Sequence, residues 1–222
     1  MSDLSVRTNL KRDAINRQIR SVDFPEKNLA KVSEYYGDNV FDPMISDSIT
    51  VEVKKVLKEV SLGTKHLEKE HAEIVAKAVT EWAISRGATH FCHWFQPLTG
   101  ASAEKHDAFL SFKNGLPVDK FNASQLMQGE PDASSFPNGG TRSTFEARGY
   151  TSWDMTSPLF LVEGVNGKTL CVPTAFVSYH GDALDIKTPL LRSVESINTH
   201  TTKFLNLIGE KTTSVMATCG AE

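Results

Sequence analysis

Residues 89–109, THFCHWFQPLTGASAEKHDAF, contain three of the seven histidines of the chain and one of its three cysteines. Imidazole and thiolate groups are the usual ligands of zinc. A cysteine near a histidine can also act as a nucleophile. The stretch is therefore a candidate for two kinds of site, a metal site and a Cys–His catalytic pair.

Neighbouring residues in this stretch do not have the spacing of a zinc site. The aromatic residues around His90 and His93 favour a strand, and Pro97 prevents a helix from continuing. On a strand, His90 and His93 face opposite sides, and so do Cys92 and His93. We therefore predict a scaffold strand followed by a packing loop. A thiol hydrolase using Cys92 and a remote histidine remains an alternative, although the apolar neighbours favour a buried, inert thiol.

A second candidate is the glycine-rich loop at 129–150, GEPDASSFPNGGTRSTFEARGY. The pair Gly139-Gly140 lets backbone amides approach a ligand closely, and Arg142 and Arg148 could meet an anion. The loop is not a phosphate-binding P-loop, because GxxxxGK[ST] is missing and a strand is predicted where a helix should follow.

The start of this loop carries one carboxylate, Asp132, followed by Ser134 and Ser135. One interpretation is a tight turn closed by Asp and Ser hydrogen bonds. The other is a loop that faces a ligand. The residues by themselves leave both open.

Three helices are predicted around these stretches. One spans 49–60 with Ser48 as its N-cap, and a second spans 65–86 and ends at Gly87. A third covers about 188–208, with Thr188 as the cap, Pro189 in the first turn and Gly209 at the end. The first twenty residues have a weaker helical pattern, typical of an arm that lies against a neighbour.

Strands are predicted mainly between 89 and 187. Asn114-Gly115 and Asn166-Gly167 each separate two strand-like runs, which indicates hairpins with type I′ turns. The run 141–150 alternates like a half-buried strand, and a last strand is predicted after Gly209. We expect an α+β fold: a helical region at 1–88, a mostly antiparallel sheet domain at 89–187, and a helix followed by a strand at 188–222.

Composition narrows the class of protein. Apolar residues make up 40% and charged residues 23% of the 222 residues, and the net charge is −3. This charge gives no basic surface for nucleic acid, and no apolar run is long enough to cross a bilayer. The N-terminus lacks the apolar segment of a secretory signal, and the widely spaced cysteines suit a reducing cytoplasm. We expect a cytoplasmic protein that binds neither nucleic acid nor membrane.

Three longer blocks carry a resemblance. They are HWFQPLTGASAEKHDAF (93–109), GEPDASSFPNGGTRSTFEARGYTSWDMTSP (129–158) and VPTAFVSYHGDALDIKTPLLRS (172–193). In this order they resemble the N-terminal region of type III glutamine synthetases, from about Val40 to the last residue.

The resemblance implies a ligase of glutamine biosynthesis and nitrogen metabolism. Such enzymes use ATP and Mg²⁺ to phosphorylate the side-chain carboxylate of glutamate, and ammonia then displaces the phosphate. It also implies a β-grasp-like N-terminal domain that packs against the catalytic domain of the adjacent subunit. The complete enzyme is expected to be a dodecamer of two hexameric rings.

The resemblance also implies roles for single residues. PDASSF is similar to the Asp-Gly-Ser-Ser loop of the family, with Ala133 in place of Gly. Asp132 is then the candidate that binds ammonium and takes its proton, and Ser134, Ser135 and Arg142 are candidate substrate-loop residues. Glu222 is the candidate first metal-binding glutamate.

The remaining catalytic residues of the family are absent from the chain, so we predict that it binds no cofactor and makes no glutamine alone. An alternative function is a non-catalytic assembly or regulatory module that binds glutamine synthetase subunits.

Overall fold

A computed structural model describes residues 12, 31–62, 65–98, 101–136, 148–164 and 167–217. Several predictions fall outside these residues. They are the N-terminal arm apart from residue 12, the run 141–147 of the alternating strand, Arg142, Gly139-Gly140 and Glu222.

The described residues form five helices of four or more residues and nine strands. The helices are α1 (Val32–Asn39), α2 (Val51–Ser61), α3 (Lys69–Ser85), α4 (Ala123–Met127) and α5 (Lys187–Leu207). The strands are β1 (Val40–Phe41), β2 (Ala88–Phe95), β3 (Ala103–Ala108), β4 (Leu110–Lys113), β5 (Leu116–Asp119), β6 (Gln128–Gly129), β7 (Tyr150–Trp153), β8 (Leu159–Gly164) and β9 (Gly167–Val177).

Seven strands form the main sheet, and the long β9 lies at its centre. The strand order is β1-β8-β9-β2-β3, and β7 pairs with the end of β9 and with β6. Only β2 and β9 run parallel among these pairs; the others are antiparallel. Strands β4 and β5 form a separate hairpin. The predicted α+β class with a mostly antiparallel sheet is confirmed.

Helices α2 and α3 cover one face of the sheet with their apolar stripes. Helix α2 buries Val53 and Leu57, and α3 buries a row of small residues that includes Val75 and Val79. These side chains join Phe91 of β2 and apolar residues of β8 and β9 in one core. The buried alanines of α3 let the helix approach the sheet closely.

The starts of α2 and α3 differ from the prediction. Thr50, not Ser48, caps α2, because its hydroxyl accepts a hydrogen bond from the Val53 N–H at 3.4 Å. The Ser48 N–H instead donates to Ser46 Oγ in the preceding turn. Helix α3 begins at Lys69 rather than 65, because Glu68 is extended (ψ 150°). The predicted end is confirmed: Gly87 has φ +83°.

The start of α5 is also corrected. Thr188 lies inside the helix, and the acceptor for its backbone N–H is Asp185 Oδ1 at 2.8 Å. Asp185 therefore takes the capping role given to Thr188, because it precedes the first turn and its carboxylate is a strong acceptor. Gly209, with φ +96°, ends this helix as predicted.

Both hairpins are present, but one turn is shifted. Asn114 and Gly115 have φ values of +53° and +78°, as a type I′ turn requires. In the β8–β9 hairpin Gly164 pairs with Gly167, so Gly167 belongs to the strand and not to the centre of the turn.

The predicted strand after Gly209 does not form at 211–217. A strand needs a neighbouring backbone to bond to, and the Val215 N–H bonds instead to the side chain of Asn198 at 2.7 Å. Residues 218–222 lie outside the described part of the chain. Within the described residues, no helix has the length and apolar character needed to cross a membrane.

Candidate functional site: an exposed carboxylate loop beside the sheet

The loop that carries Asp132 is a tight turn with its own hydrogen bonds. Asp132 Oδ1 accepts from the Ser134 N–H at 2.9 Å and from the Ser134 hydroxyl. The Asp132 carbonyl accepts from the Ser135 N–H at 3.0 Å, and the Asp132 N–H donates to Ser135 Oγ at 3.3 Å. Residues Ala133–Ser135 form one turn of 3₁₀ helix. These bonds hold the Asp132 carboxylate in a defined position.

Phe136 anchors the loop to the sheet. Its ring packs edge-on against Phe95 of β2, with 5.8 Å between the centroids, and also against Phe176 of β9. Ser135 is buried with it, whereas Asp132 and Ser134 are exposed. The loop therefore presents a carboxylate and a hydroxyl to solvent from a fixed apolar base.

The Asp132 carboxylate is stabilised in its ionised form. The hydrogen bond from the Ser134 hydroxyl, joined by the Ser134 N–H and the positive charge of Lys105, lowers the pKa of Asp132 below its usual range. Both hydrogen bonds to the carboxylate end at Oδ1, so among the described residues Oδ2 has no bonding partner. The arrangement leaves one oxygen of an anionic group free to meet a cation or a proton donor.

The structure thus brings together three predicted site residues, Asp132, Ser134 and Ser135. The turn bonds match the tight-turn interpretation, and the exposed carboxylate is compatible with a ligand-facing loop. Arg148 is described and exposed. Arg142 and Glu222 lie outside the described residues.

The predicted divergence of the two histidines on β2 is confirmed. His93 points into the protein, where its side chain is 3% exposed. Its Nε2–H donates to the Gln125 carbonyl at 2.7 Å, and its Nδ1 accepts from the Thr151 hydroxyl at 2.7 Å. His90 is exposed on the other face, with Nδ1 2.8 Å from Thr89 Oγ1.

Burial sets the charge state of His93. It lowers the pKa of His93 to about 4, even though the bond to the Gln125 carbonyl acts in the opposite direction. The ring is so closely packed that a Cβ at Gly129 would lie 2.9 Å from His93 Nδ1. His93 is therefore a neutral structural group that ties β2 to α4 and β7.

Cys92 is buried, as its apolar neighbours indicated. Its Sγ lies 3.5 Å from Cys171 Sγ on β9, because the parallel pairing sets the two residues side by side. The hydrogen bond with Cys171 and burial together raise the pKa of the Cys92 thiol. A protonated thiol is a poor nucleophile, so the geometry does not favour a thiol hydrolase.

Sequence reasoning missed two buried aspartates that position α5. Asp185 Oδ2 accepts from the Phe176 N–H of β9 at 2.7 Å while Oδ1 caps the helix. Asp154 forms an ion pair with Lys187 at the start of α5. Burial opposes ionisation of Asp154, but bonds from Lys187 and Thr156 outweigh it and lower its pKa.

A local signal existed for each aspartate. Asp154 lies two residues before Thr156, whose N–H bonds to Oδ1 at 2.9 Å, and Asp185 lies three residues before the N–H that it caps. Both are spacings of side chain-to-backbone turns and caps. The bonds to β9 and Lys187 could not be read from either spacing.

A family model described as "Glutamine synthetase type III N terminal" matches residues 32–193. The chain belongs to this family. The resemblance seen in the sequence is therefore confirmed, and the match includes Asp132 and the complete sheet.

Longer glutamine synthetases are similar to the chain. It is 48% identical over 193 residues to the type-3 glutamine synthetase of Dictyostelium discoideum. It is 43% identical over 194 residues to a glutamine synthetase of Bacteroides fragilis (strain YCH46). Each match covers 86% of this chain but 26% of the relative. The chain thus spans about a quarter of the length of these relatives.

Proposed function

We propose that this chain is the N-terminal portion of a glutamine synthetase that ligates ammonia to glutamate through a γ-glutamyl phosphate. In this proposal the Asp132 loop contributes to the active site of the neighbouring subunit. The observation that carries it is the exposed, ionised Asp132 carboxylate on a rigid loop within the family-matched region. Ser134 positions the carboxylate, and Ser135 and Phe136 hold the loop on the sheet.

The chemistry proposed for Asp132 has two steps. The carboxylate attracts an ammonium ion, and then accepts a proton from it so that neutral ammonia can attack the acyl phosphate. Oδ2, which has no bonding partner among the described residues, is the atom suited to this role. Arg142 is a further substrate-loop candidate by family pattern.

Mg²⁺ does not match the ligand chemistry of the close side-chain group found in the described residues. Mg²⁺ prefers oxygen ligands. The group of three or more close ligand side chains in the described residues instead combines a thiol, an imidazole and a carboxylate. Our proposal assigns ATP and Mg²⁺ binding to the rest of the complete enzyme, with Glu222 as one metal ligand. ATP supplies the phosphoryl group of the acyl phosphate in this proposal, whereas Asp132 acts on the ammonium ion alone.

The test uses the complete enzyme that contains this chain. Asp132→Asn keeps an oxygen for the turn bonds but removes the negative charge and the proton acceptor. At saturating glutamate and ATP, we expect kcat/KM for ammonium to fall by about 10²–10⁴-fold, the usual contribution of a general base. Asp119→Asn, which changes an exposed carboxylate at the end of β5, is the matched control.

Unchanged ammonium kinetics in Asp132→Asn would overturn the role of Asp132. A loss shared equally by Asp119→Asn would show that general surface charge is responsible. Assay of the 222-residue chain alone addresses a separate part of the proposal, because we expect it to make no glutamine without the catalytic region.

The proposal also covers the assembly. We propose that the complete enzyme is a cytoplasmic homo-oligomer of two hexameric rings, with glutamate, ammonium and ATP as substrates. The helical region 1–88, the sheet domain 89–187 and the connecting segment 188–222 are the proposed divisions of this part. Analytical ultracentrifugation of the complete enzyme measures the number of subunits directly.

One observation favours the alternative function, a non-catalytic assembly or regulatory module. Helix α5 has 21 residues, of which only Thr188 is buried, and it exposes Leu190, Ile197 and Phe204. An apolar surface of this kind is typical of a face that contacts another protein. Co-purification of the chain with separate catalytic subunits, without any change in their ammonium kinetics in Asp132→Asn, would favour this alternative.

A further inference from the structure

A row of metal-ligand side chains crosses the sheet face that carries His90. Cys92 on β2 pairs with His106 on the antiparallel β3 and with Cys171 on the parallel β9. Paired residues of adjacent strands project to the same face of a sheet. Glu104 lies two residues from His106 on β3 and therefore shares that face.

The donor atoms of three of these residues lie close together. One atom each from Cys92, Glu104 and His106 lies within 4.8 Å of the other two. His106 Nε2 and Glu104 Oε2 are 3.1 Å apart. Zinc–ligand bonds of roughly 2.0–2.3 Å place tetrahedral ligand atoms about 3.3–3.8 Å from each other. The separations in the structure, at most 4.8 Å, exceed the upper zinc value by no more than about 1 Å.

We propose that Cys92, Glu104 and His106 form a binding site for Zn²⁺ or a similar borderline divalent ion, with water as the fourth ligand. Sulfur and imidazole nitrogen favour zinc and its neighbours over Mg²⁺ or Ca²⁺, and one carboxylate completes a common ligand set. The site is separate from the Asp132 loop and does not depend on the proposed function.

The other two ligands are more accessible than the buried thiol. Cys92 is fully buried, whereas the side chains of His106 and Glu104 are 51% and 37% exposed. An ion from solvent thus meets these two groups first and then the sulfur below them. As the sulfur–metal bond forms, the Cys92 S–H bond breaks and its proton passes to solvent.

Cys171 supports the site from the opposite side of Cys92. Its thiol lies 3.5 Å from the Cys92 sulfur, so it can donate an S–H hydrogen bond to the metal-bound thiolate. Hydrogen bonds of this kind orient metal ligands and tune their affinity. Cys171 is therefore a positioning residue rather than a ligand in this proposal.

The test is a titration of the metal-free, reduced 222-residue chain with Co²⁺, followed by competition with Zn²⁺. A Cys219→Ser background removes the third cysteine. We expect one Co²⁺ per chain with a thiolate-to-cobalt absorption band, and displacement of the Co²⁺ by Zn²⁺.

His106→Gln and Glu104→Gln carry the main test, because these side chains are accessible and their replacement spares the core. We expect each to weaken Zn²⁺ binding by at least about 100-fold, the upper range found when groups around a metal ligand are removed. Cys92→Ser should abolish the thiolate band. His90→Gln, an exposed histidine on the same face and strand as Cys92, should bind Zn²⁺ like the unmodified chain.

Three results would overturn the proposal. They are the absence of a thiolate band, Zn²⁺ affinity unchanged in His106→Gln, and equal weakening in His90→Gln. Glutamine synthesis is not part of the readout, so the metal site and the proposed ligase function succeed or fail independently.

Discussion

The two faces of β2 use similar residues in different ways. The face toward α3 and α4 carries Phe91 and His93, both at most 4% exposed. The opposite face carries His90, Cys92 and Trp94, of which His90 is exposed and Trp94 half-buried. A histidine on the first face is a neutral core group with both ring nitrogens bonded, whereas a histidine on the second face meets solvent.

Position on the sheet, rather than residue type, decides what an imidazole in this protein can do. His93 has no free nitrogen for a ligand, since Gln125 and Thr151 occupy both. His106, across from Cys92 on the second face, keeps a half-exposed ring beside Glu104. His93 therefore contributes to the packing of the covered face, whereas His106 on the second face is accessible from solvent.

We expect the largest loss of stability when a phenylalanine is replaced by alanine on the covered face of β2. Phe91 packs against Phe109 and Phe121, with ring centroids 5.3 and 4.7 Å away. We expect Phe91→Ala to lower the free energy of unfolding by about 3–5 kcal/mol, because it removes a large core side chain and leaves a cavity. Urea denaturation followed by circular dichroism measures the change.

Phe160→Ala is the matched control on the second face. Phe160 is half-buried, and its ring centroid lies 5.8 Å from that of Trp94. We expect Phe160→Ala to lower the free energy of unfolding by less than half as much as Phe91→Ala does. Equal losses would mean that the second face is as much a core as the first.

The next effect is a dependence of stability on pH that His93 causes. Its pKa in the folded chain is about 4, below the ordinary value of 6.5. The unfolded chain therefore takes up a proton before the folded one does, and stability present above pH 6.5 is lost as the pH falls toward 4. The difference corresponds to roughly 3 kcal/mol.

Urea titrations between pH 7 and 4 check this prediction with two variants. His93→Gln should be less stable at pH 7 and should lose part of the pH dependence, whereas His90→Gln should keep the full slope. A slope that persists unchanged in His93→Gln would assign the pH dependence to other groups.

The smallest expected effect lies on the second face. Glu104 and His106 form a solvent-exposed pair, and such pairs contribute little to folding. In the metal-free chain we expect Glu104→Gln to change the free energy of unfolding by no more than about 0.5 kcal/mol. A loss close to that of Phe91→Ala would mean that this pair holds the sheet together.

Local patterns determined several features of this protein from the sequence alone. Alternation along β2 separated His90 from His93, because successive side chains of a strand face opposite sides. Two helix ends were marked by Gly87 and Gly209, and one hairpin turn by Asn114-Gly115, because these residue types tolerate positive φ. The long blocks around Asp132 indicated the family. Helix starts were less predictable, since Thr50 and Ser48 are both good caps and Asp185 competes with Thr188.

Contacts between distant residues depend on how the strands pair in the folded chain. The parallel register of β2 and β9 places Cys92 beside Cys171, 79 residues away, and the register with β3 places His106 opposite the same thiol. Asp185 joins α5 to β9 for a similar reason. A strand pattern specifies which side chains share a face, but the partner and register depend on the packing of the whole core, and no short stretch of sequence contains that information.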